Sequence, residues 1–128
     1  ALATFSNFDS GTHPSSKSQP ERFYHGFMLG LLVELRDRYQ VKSNRESGYG
    51  RYDVMLIPRN VAENAMILEF KVFDVEEEYS LQDTVKSALR QIEEKQYDTE
   101  LLEAGISKNR IHHYGFAFEG KKVLIDGQ

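Results

Sequence analysis

The segment that most constrains the fold is a nearly continuous apolar run over residues 65–73. Such a run is typical of a central β-strand that is buried on both faces. Two charged residues, Glu69 and Lys71, interrupt it. Because side chains two residues apart on a strand point to the same face, both charges are expected to leave the strand on one side. Burying an unpaired charge is costly, so this face needs a specific arrangement of partners.

The first helix is predicted from Ser18 to about Tyr39. Ser18 can cap this helix, and Glu21 follows three residues later, at the capping-box spacing. Apolar residues then recur at helical spacing. The preceding stretch is polar and rich in Pro and Ser, so we expect a flexible tail or linker over residues 1–19 and one domain over residues 20–128.

The rest of the chain alternates strands with one further helix. That helix is predicted from a cap at Ser80 to near Gly105, and a strand–helix–strand passage around it indicates a parallel pair of strands. The predicted strands lie near residue 41 and over residues 51–57, 65–73, 111–118 and 121–125. The order α-β-β-β-α-β-β predicts an α/β fold with a mixed central sheet flanked by helices.

Composition excludes several classes of protein. Hydrophobic residues make up 40% of the 128 residues, which is enough for a core and excludes wholesale disorder. No apolar run approaches the ~18 residues of a transmembrane helix. The absence of Cys excludes disulfides, Cys-ligated zinc and a thiol nucleophile, and it fits a cytoplasmic location. The net charge of −4 argues against a general nucleic-acid binder but leaves room for a local basic groove.

A second carboxylate, Asp53, lies on the strand predicted before Glu69. If the two strands pair antiparallel, both carboxylates can lie side by side and will repel unless a proton or a cation sits between them. Mg²⁺ prefers such oxygen ligands. Two simpler interpretations stay open: Glu69 and Lys71 form an ordinary ion pair on the strand, or Asp53 ends its strand or pairs with Arg51 or Lys71.

These residues resemble the signature of the PD-(D/E)XK nuclease superfamily, in which an acidic residue, a hairpin turn and the pattern Glu69-Phe70-Lys71 follow one another. The chain is also similar to the domain of this type at the C-terminus of AAA-ATPase-like bacterial and archaeal proteins. The similar segments are residues 23–27, 43–53 and 67–72. The resemblance covers roughly residues 20–125 and implies a restriction-endonuclease-like core.

The resemblance implies specific roles at the strands. Asp53 and Glu69 would hold Mg²⁺ or Mn²⁺, with the backbone carbonyl of Phe70 as a further ligand. Lys71 would orient or help to deprotonate the attacking water and steady charge on the phosphate. The reaction would be phosphodiester hydrolysis of nucleic acid.

The superfamily also draws polar residues from its helices. Glu21 is the best match for a catalytic and metal-binding carboxylate from the first helix, although a capping role would explain it equally well. Glu34 is the weaker candidate. On the second helix Gln91 resembles the polar position that assists the site, and it shares a helix face with Lys95. Gln is also a routine surface residue.

Other polar residues are expected to lie outside the site. His112 and His113 are adjacent on a predicted strand and point to opposite faces, so they cannot readily bind one metal. The three Glu residues at 76–78 are expected in a solvated loop or at the entry to a helix. Four basic residues can form a positive rim near Asp53, which would hold phosphates or balance the acidic helices. These are Lys42, Arg45, Arg51 and Arg59.

The alternative to an enzyme is a catalytically inactive nuclease-fold module that binds or regulates within a larger ATPase-like protein. The acidic net charge favours this module, because phosphate affinity comes largely from Lys and Arg contacts. No ATP-binding loop is present in the sequence, so ATPase activity would belong to an N-terminal partner domain. The expected partner is nucleic acid, with DNA favoured over RNA and no membrane, and a homodimer is left open.

Overall fold

The computed structural model describes residues 18–45 and 50–128, with side chains from residue 23 onward except at residue 45. This part of the chain forms a five-stranded mixed sheet with helices on both faces, which confirms the predicted α/β fold. The helices are α1 (Ser18–Leu35), α2 (Leu81–Lys95) and α3 (Asp98–Glu103), with a short 3₁₀ turn at Lys108–Arg110. The strands are β1 (Tyr39–Arg45), β2 (Arg51–Pro58), β3 (Ala65–Val72), β4 (Ile111–Glu119) and β5 (Lys122–Gly127).

The strands lie in sequence order, with β3 in the middle of the sheet. The pairs β1–β2, β2–β3 and β4–β5 are antiparallel, whereas β3 and β4 are parallel. A parallel pair needs a crossover connection, and α2 and α3 supply it. The predicted parallel pair is therefore confirmed, and the crossover brings α2 over the middle of the sheet.

One face of the sheet carries an aromatic core under α1. Phe70 of β3 stacks on Phe116 of β4 with ring centroids 4.8 Å apart, and Tyr24 of α1 meets Phe118 edge to face at 4.9 Å. Buried aromatic pairs of this geometry contribute about 0.5–1.5 kcal/mol beyond their area burial. This face is therefore closed by packing alone, and the alternation of β3 sends Glu69 and Lys71 to the other face.

The second face of the sheet is covered by α2, and its apolar side chains are mainly aliphatic. Val85, Leu89 and Ile92 of this helix pack onto it. Gly115 of β4 lies opposite Glu69 in the sheet, and a Cβ at this position would come within 3.0 Å of the Val85 carbonyl oxygen. The absence of a side chain therefore lets α2 pack directly against the centre of the sheet.

Two predicted helix boundaries are wrong. The first helix ends at Leu35 rather than near Tyr39, because the ring of Tyr39 is buried by the β1 pairing opposite Pro58. The second helix ends at Lys95 rather than near Gly105: Gln96 adopts a left-handed conformation (φ 55°) and its N–H bonds to the Glu93 carbonyl. Residues 98–103 then form the separate helix α3.

A tail was predicted for residues 1–19. Residues 1–17 of it lie outside the described part of the structure, and residues 18 and 19 belong to α1. Within the described ranges, no helix is both long enough and apolar enough to cross a membrane.

Close packing of α2 on the sheet predicts opposite effects for two glycine substitutions. Gly115→Ala should lower the free energy of unfolding by about 1–3 kcal/mol, because its Cβ would push against the α2 backbone. Gly30→Ala is the matched control: Gly30 is an exposed residue of α1 whose Cβ would meet nothing within 4 Å, so it should raise stability by about 0.5–1 kcal/mol. Urea denaturation measures both, and a Gly115→Ala variant as stable as the native chain would contradict the close contact.

Candidate active site

The site is built around two buried acids on neighbouring strands. Asp53 of β2 and Glu69 of β3 are direct partners in the antiparallel register, on the face that α2 covers. Asp53 is 4% exposed and Glu69 is fully buried. The hairpin brings these carboxyl groups together because both strands alternate in phase, with Tyr52 and Phe70 turned into the aromatic core on the other side.

The pair leaves three carboxylate oxygens without a partner. Oδ1 of Asp53 and both oxygens of Glu69 are buried and accept no hydrogen bond from the described part of the chain. The pKa of Glu69 is raised to about 10, chiefly by burial and further by the adjacent Asp53 carboxyl group. The positive charges of Arg51 and Lys71 offset only part of this rise. Without a cation, the surroundings of Glu69 therefore favour its protonated form.

The second oxygen of Asp53 is held from the end of the α2 crossover. Tyr97 donates its hydroxyl proton to Oδ2 at 2.5 Å, and the Lys95 ammonium donates to the same oxygen at 3.0 Å. Burial and the adjacent Asp53 raise the pKa of the Tyr97 hydroxyl, so it remains a donor. The helix break at Gln96 brings Tyr97 to this position. This contact of Tyr97 was not predicted, because the predicted helix continued through this residue to near Gly105.

Lys71 lies on the same strand face as Glu69 but pairs with a different acid. Its ammonium donates to Glu78 Oε2 at 2.8 Å, and both side chains are less than one-tenth exposed. Glu78 also accepts from the Thr84 hydroxyl at 2.8 Å and from the Asp74 backbone N–H at 2.9 Å. Burial alone would raise the pKa of Glu78, but these hydrogen bonds, above all that from Lys71, hold it below its ordinary value.

These contacts correct three expectations. Glu78 is not a solvated loop residue, because its carboxylate is buried against Lys71 and α2. The interpretation of Glu69 and Lys71 as an ordinary ion pair is also wrong, since the Lys71 ammonium bonds to Glu78 instead. Asp53 likewise pairs with neither Arg51 nor Lys71 but with Lys95 and Tyr97.

The other predicted site residues have different positions. The side chain of Glu21, a residue of α1, lies outside the described part of the structure. Gln91 is half-buried on α2, one turn before Lys95 and on the same helix face. Phe70 turns its ring to the aromatic core, so only its backbone borders the acids.

The basic residues predicted to form a rim near Asp53 have separate partners where the structure describes them. Lys42 pairs with Glu100, and Arg59 donates to the backbone carbonyls that follow α1. Arg51 bonds to the Ser87 hydroxyl on α2 at 3.3 Å, and the side chain of Arg45 is not among those described. Each basic side chain with a described partner is therefore held by a different neighbour.

A cleft of about 1000 Å³ opens beside Lys71 at the start of α2. Basic side chains (Arg51, Lys71, Lys86, Arg90) and acidic ones (Asp74, Glu76, Glu77, Glu78, Asp83) line it. A smaller cavity of about 200 Å³ borders Asp53 and Tyr97. The large cleft has the size of a ligand site, and Lys71 is the candidate residue that reaches it.

The acid pair fits a divalent cation. Hard cations such as Mg²⁺ take one or two carboxylates together with water and carbonyl oxygens, and the unpartnered oxygens of Asp53 and Glu69 are donors of that kind. No cluster of three or more His, Cys, Asp or Glu residues suited to a metal occurs among the residues that the structure describes. His113 is engaged elsewhere, 2.7 Å from Asp98.

The raised pKa of Glu69 predicts a pH-dependent stability in the absence of metal. Because the folded chain binds this proton more tightly than the unfolded chain, its contribution is complete below pH 4.5 and declines as the pH rises toward about 10. Between pH 6 and 9 the free energy of unfolding should fall by up to about 1.4 kcal/mol per pH unit. Denaturation in EDTA should show this slope, and Glu69→Gln should remove it. The exposed Glu63→Gln is the control; an unchanged slope in Glu69→Gln would contradict the assignment.

Comparison with known proteins gives the family. A family model described as the PD-(D/E)XK nuclease superfamily matches residues 19–128. No curated protein and no solved structure matches the chain. The match spans every described strand and contains the hairpin that carries Asp53 and Glu69. The chain therefore belongs to the PD-(D/E)XK nuclease superfamily.

Proposed function

We propose that this chain is a metal-dependent nuclease domain that hydrolyses phosphodiester bonds in nucleic acid. Membership of the superfamily supports phosphodiester hydrolysis in general. The observation that carries the specific proposal is the buried acid pair with its three unpartnered oxygens, together with Lys71 two residues from Glu69 on the same strand. A chain that needed only stability would gain more from an apolar pair at this position.

In this proposal Asp53 and Glu69 hold Mg²⁺ or Mn²⁺. The backbone carbonyl of Phe70 and the carboxylate of Glu21 are further candidate ligands. When bound, the metal would lower the pKa of a coordinated water and neutralise charge that develops on the phosphate.

The protein's own residues prepare this chemistry. Tyr97 and Lys95 bind one oxygen of Asp53, which leaves the other available toward Glu69. Lys71 supplies a fixed cation at the edge of the cleft, where it can orient the attacking water and bind a phosphate oxygen. The buried setting strengthens each of these interactions, because little water is present to screen them. Gln91 is the candidate for a further hydrogen bond from α2.

The proposed substrate is nucleic acid, with DNA favoured over RNA. A chain of net charge −4 cannot rely on general attraction to phosphates, so binding would depend on the cation and on the basic side chains that line the cleft. An ATPase-like N-terminal domain, a homodimer and a cytoplasmic location stay predictions from the sequence.

One observation favours a second candidate, a binding module without catalysis. Asp53, Glu69 and Lys71 are all buried, and Lys71 is already paired. A domain with a permanently closed site would keep the nuclease fold and use the cleft to bind a partner. Calorimetric titration with Mn²⁺ separates the two candidates: a native chain that binds no divalent cation supports the module.

The nuclease proposal predicts divalent-cation-dependent cleavage that requires Lys71. Lys71→Met keeps the side-chain length and should lower the cleavage rate at least about 100-fold, since a positioned proton-transfer group contributes about 10²–10⁴-fold. Asp53→Asn should also abolish cleavage. Rates on DNA and RNA with Mg²⁺ or Mn²⁺ measure the loss, and circular dichroism checks that the variants fold.

Lys121→Met is the matched control, because Lys121 is exposed in the turn between β4 and β5. This variant should cleave at the native rate. Cleavage that survives in both Asp53→Asn and Lys71→Met would reject the site.

A further inference from the structure

Two acidic side chains, Glu69 and Glu78, are within reach of the Lys71 ammonium, and it bonds to only one of them. Glu69 lies two residues earlier on the same strand face, about 6.6 Å away along the backbone, within the reach of a Lys side chain. The ammonium instead bonds to Glu78, which comes from the loop between β3 and α2. This preference needs a physical cause, because a strand neighbour requires no loop to be ordered.

Glu78 is held in place by two donors other than Lys71. The Thr84 hydroxyl, which is fully buried on α2, and the Asp74 backbone N–H both donate to Oε1 of Glu78. Its other oxygen, Oε2, is thereby held toward β3, where it accepts from Lys71 at 2.8 Å. A carboxylate that two other donors hold in place is a strong, charge-assisted partner for an ammonium.

We propose that Glu78 is a positioning residue that holds the Lys71 ammonium away from Glu69 and so keeps the acid pair free to bind a divalent cation. This inference rests on the proposed function and extends it to a residue outside the superfamily signature. The unpartnered oxygens of Glu69 are the observation that carries it, since they stay unpartnered only while Lys71 bonds elsewhere.

Removing the charge of Glu78 should redirect Lys71. The Lys71 side chain is 8% exposed, and a buried ammonium that loses its partner must find another one. Glu69 is the next carboxylate along the same strand face. An ammonium bonded to Glu69 would then compete with a cation for the same oxygens.

Calorimetric titration of the full 128-residue chain with Mn²⁺ tests this inference. Glu78→Gln keeps the side-chain shape and should weaken Mn²⁺ binding about tenfold, the effect of one competing hydrogen bond to a charged group. Glu78→Gln combined with Lys71→Met should restore the native affinity, because the competing ammonium is gone. The matched control is Glu77→Gln, which removes the same charge from an exposed neighbour and should leave the affinity unchanged.

The inference is overturned if Glu78→Gln binds Mn²⁺ as tightly as the native chain, or if the Lys71→Met combination fails to restore affinity. Should Glu78→Gln fail to fold, Thr84→Val removes one donor to Glu78 and should give a smaller loss in the same direction; an unchanged affinity would again overturn the inference.

A metal-free crystal structure of Glu78→Gln separates this inference from the proposed function. If the native chain binds no Mn²⁺, the proposed function fails, and the position of Lys71 still decides the role of Glu78. An ammonium within hydrogen-bond distance of Glu69 supports that role, whereas an ammonium that stays beside residue 78 or turns to solvent overturns it.

Discussion

The structure depends on a repulsive contact, the burial of Asp53 beside Glu69 on adjacent strands. Two carboxyl groups in this position are unfavourable unless a proton or a cation lies between them, and the pKa of Glu69 is raised accordingly. Two features of the fold bury the pair. Gly115 lets α2 pack close to the sheet, and the register of the β2–β3 hairpin places the two acids side by side. A divalent cation bound between the two carboxylates would relieve this repulsion.

Within the described part of the chain, no cationic side chain bonds to Oδ1 of Asp53 or to either oxygen of Glu69. Lys95 and the Tyr97 hydroxyl bind Oδ2 of Asp53, and Glu78 holds Lys71 at the edge of the cleft. These contacts come from the β3–α2 loop and from the end of α2, so the crossover shapes the site as much as the signature strands do. The break after α2 matters for this reason, because a continuous helix would remove the Tyr97 contact.

The sequence was sufficient for the parts of the structure that follow from short-range periodicity. The buried strand β3, the order of helices and strands along the chain and the shared face of Glu69 and Lys71 all follow from apolar runs and from alternation. The pairing partners could not be predicted, because they depend on how loops fold back onto the sheet. Glu78 stands in a run of three Glu residues, and nothing local distinguishes it from its exposed neighbours. Its burial arises from the Thr84 and Asp74 donors, which are positioned only in the folded chain.

The most direct test of a cation site at the acid pair is an anomalous difference map from crystals of the chain soaked in Mn²⁺. The account predicts a strong peak in contact with the Asp53 and Glu69 carboxylates, with the Lys71 ammonium still bonded to Glu78. Mn²⁺ peaks elsewhere in the crystal and none at the pair would contradict it.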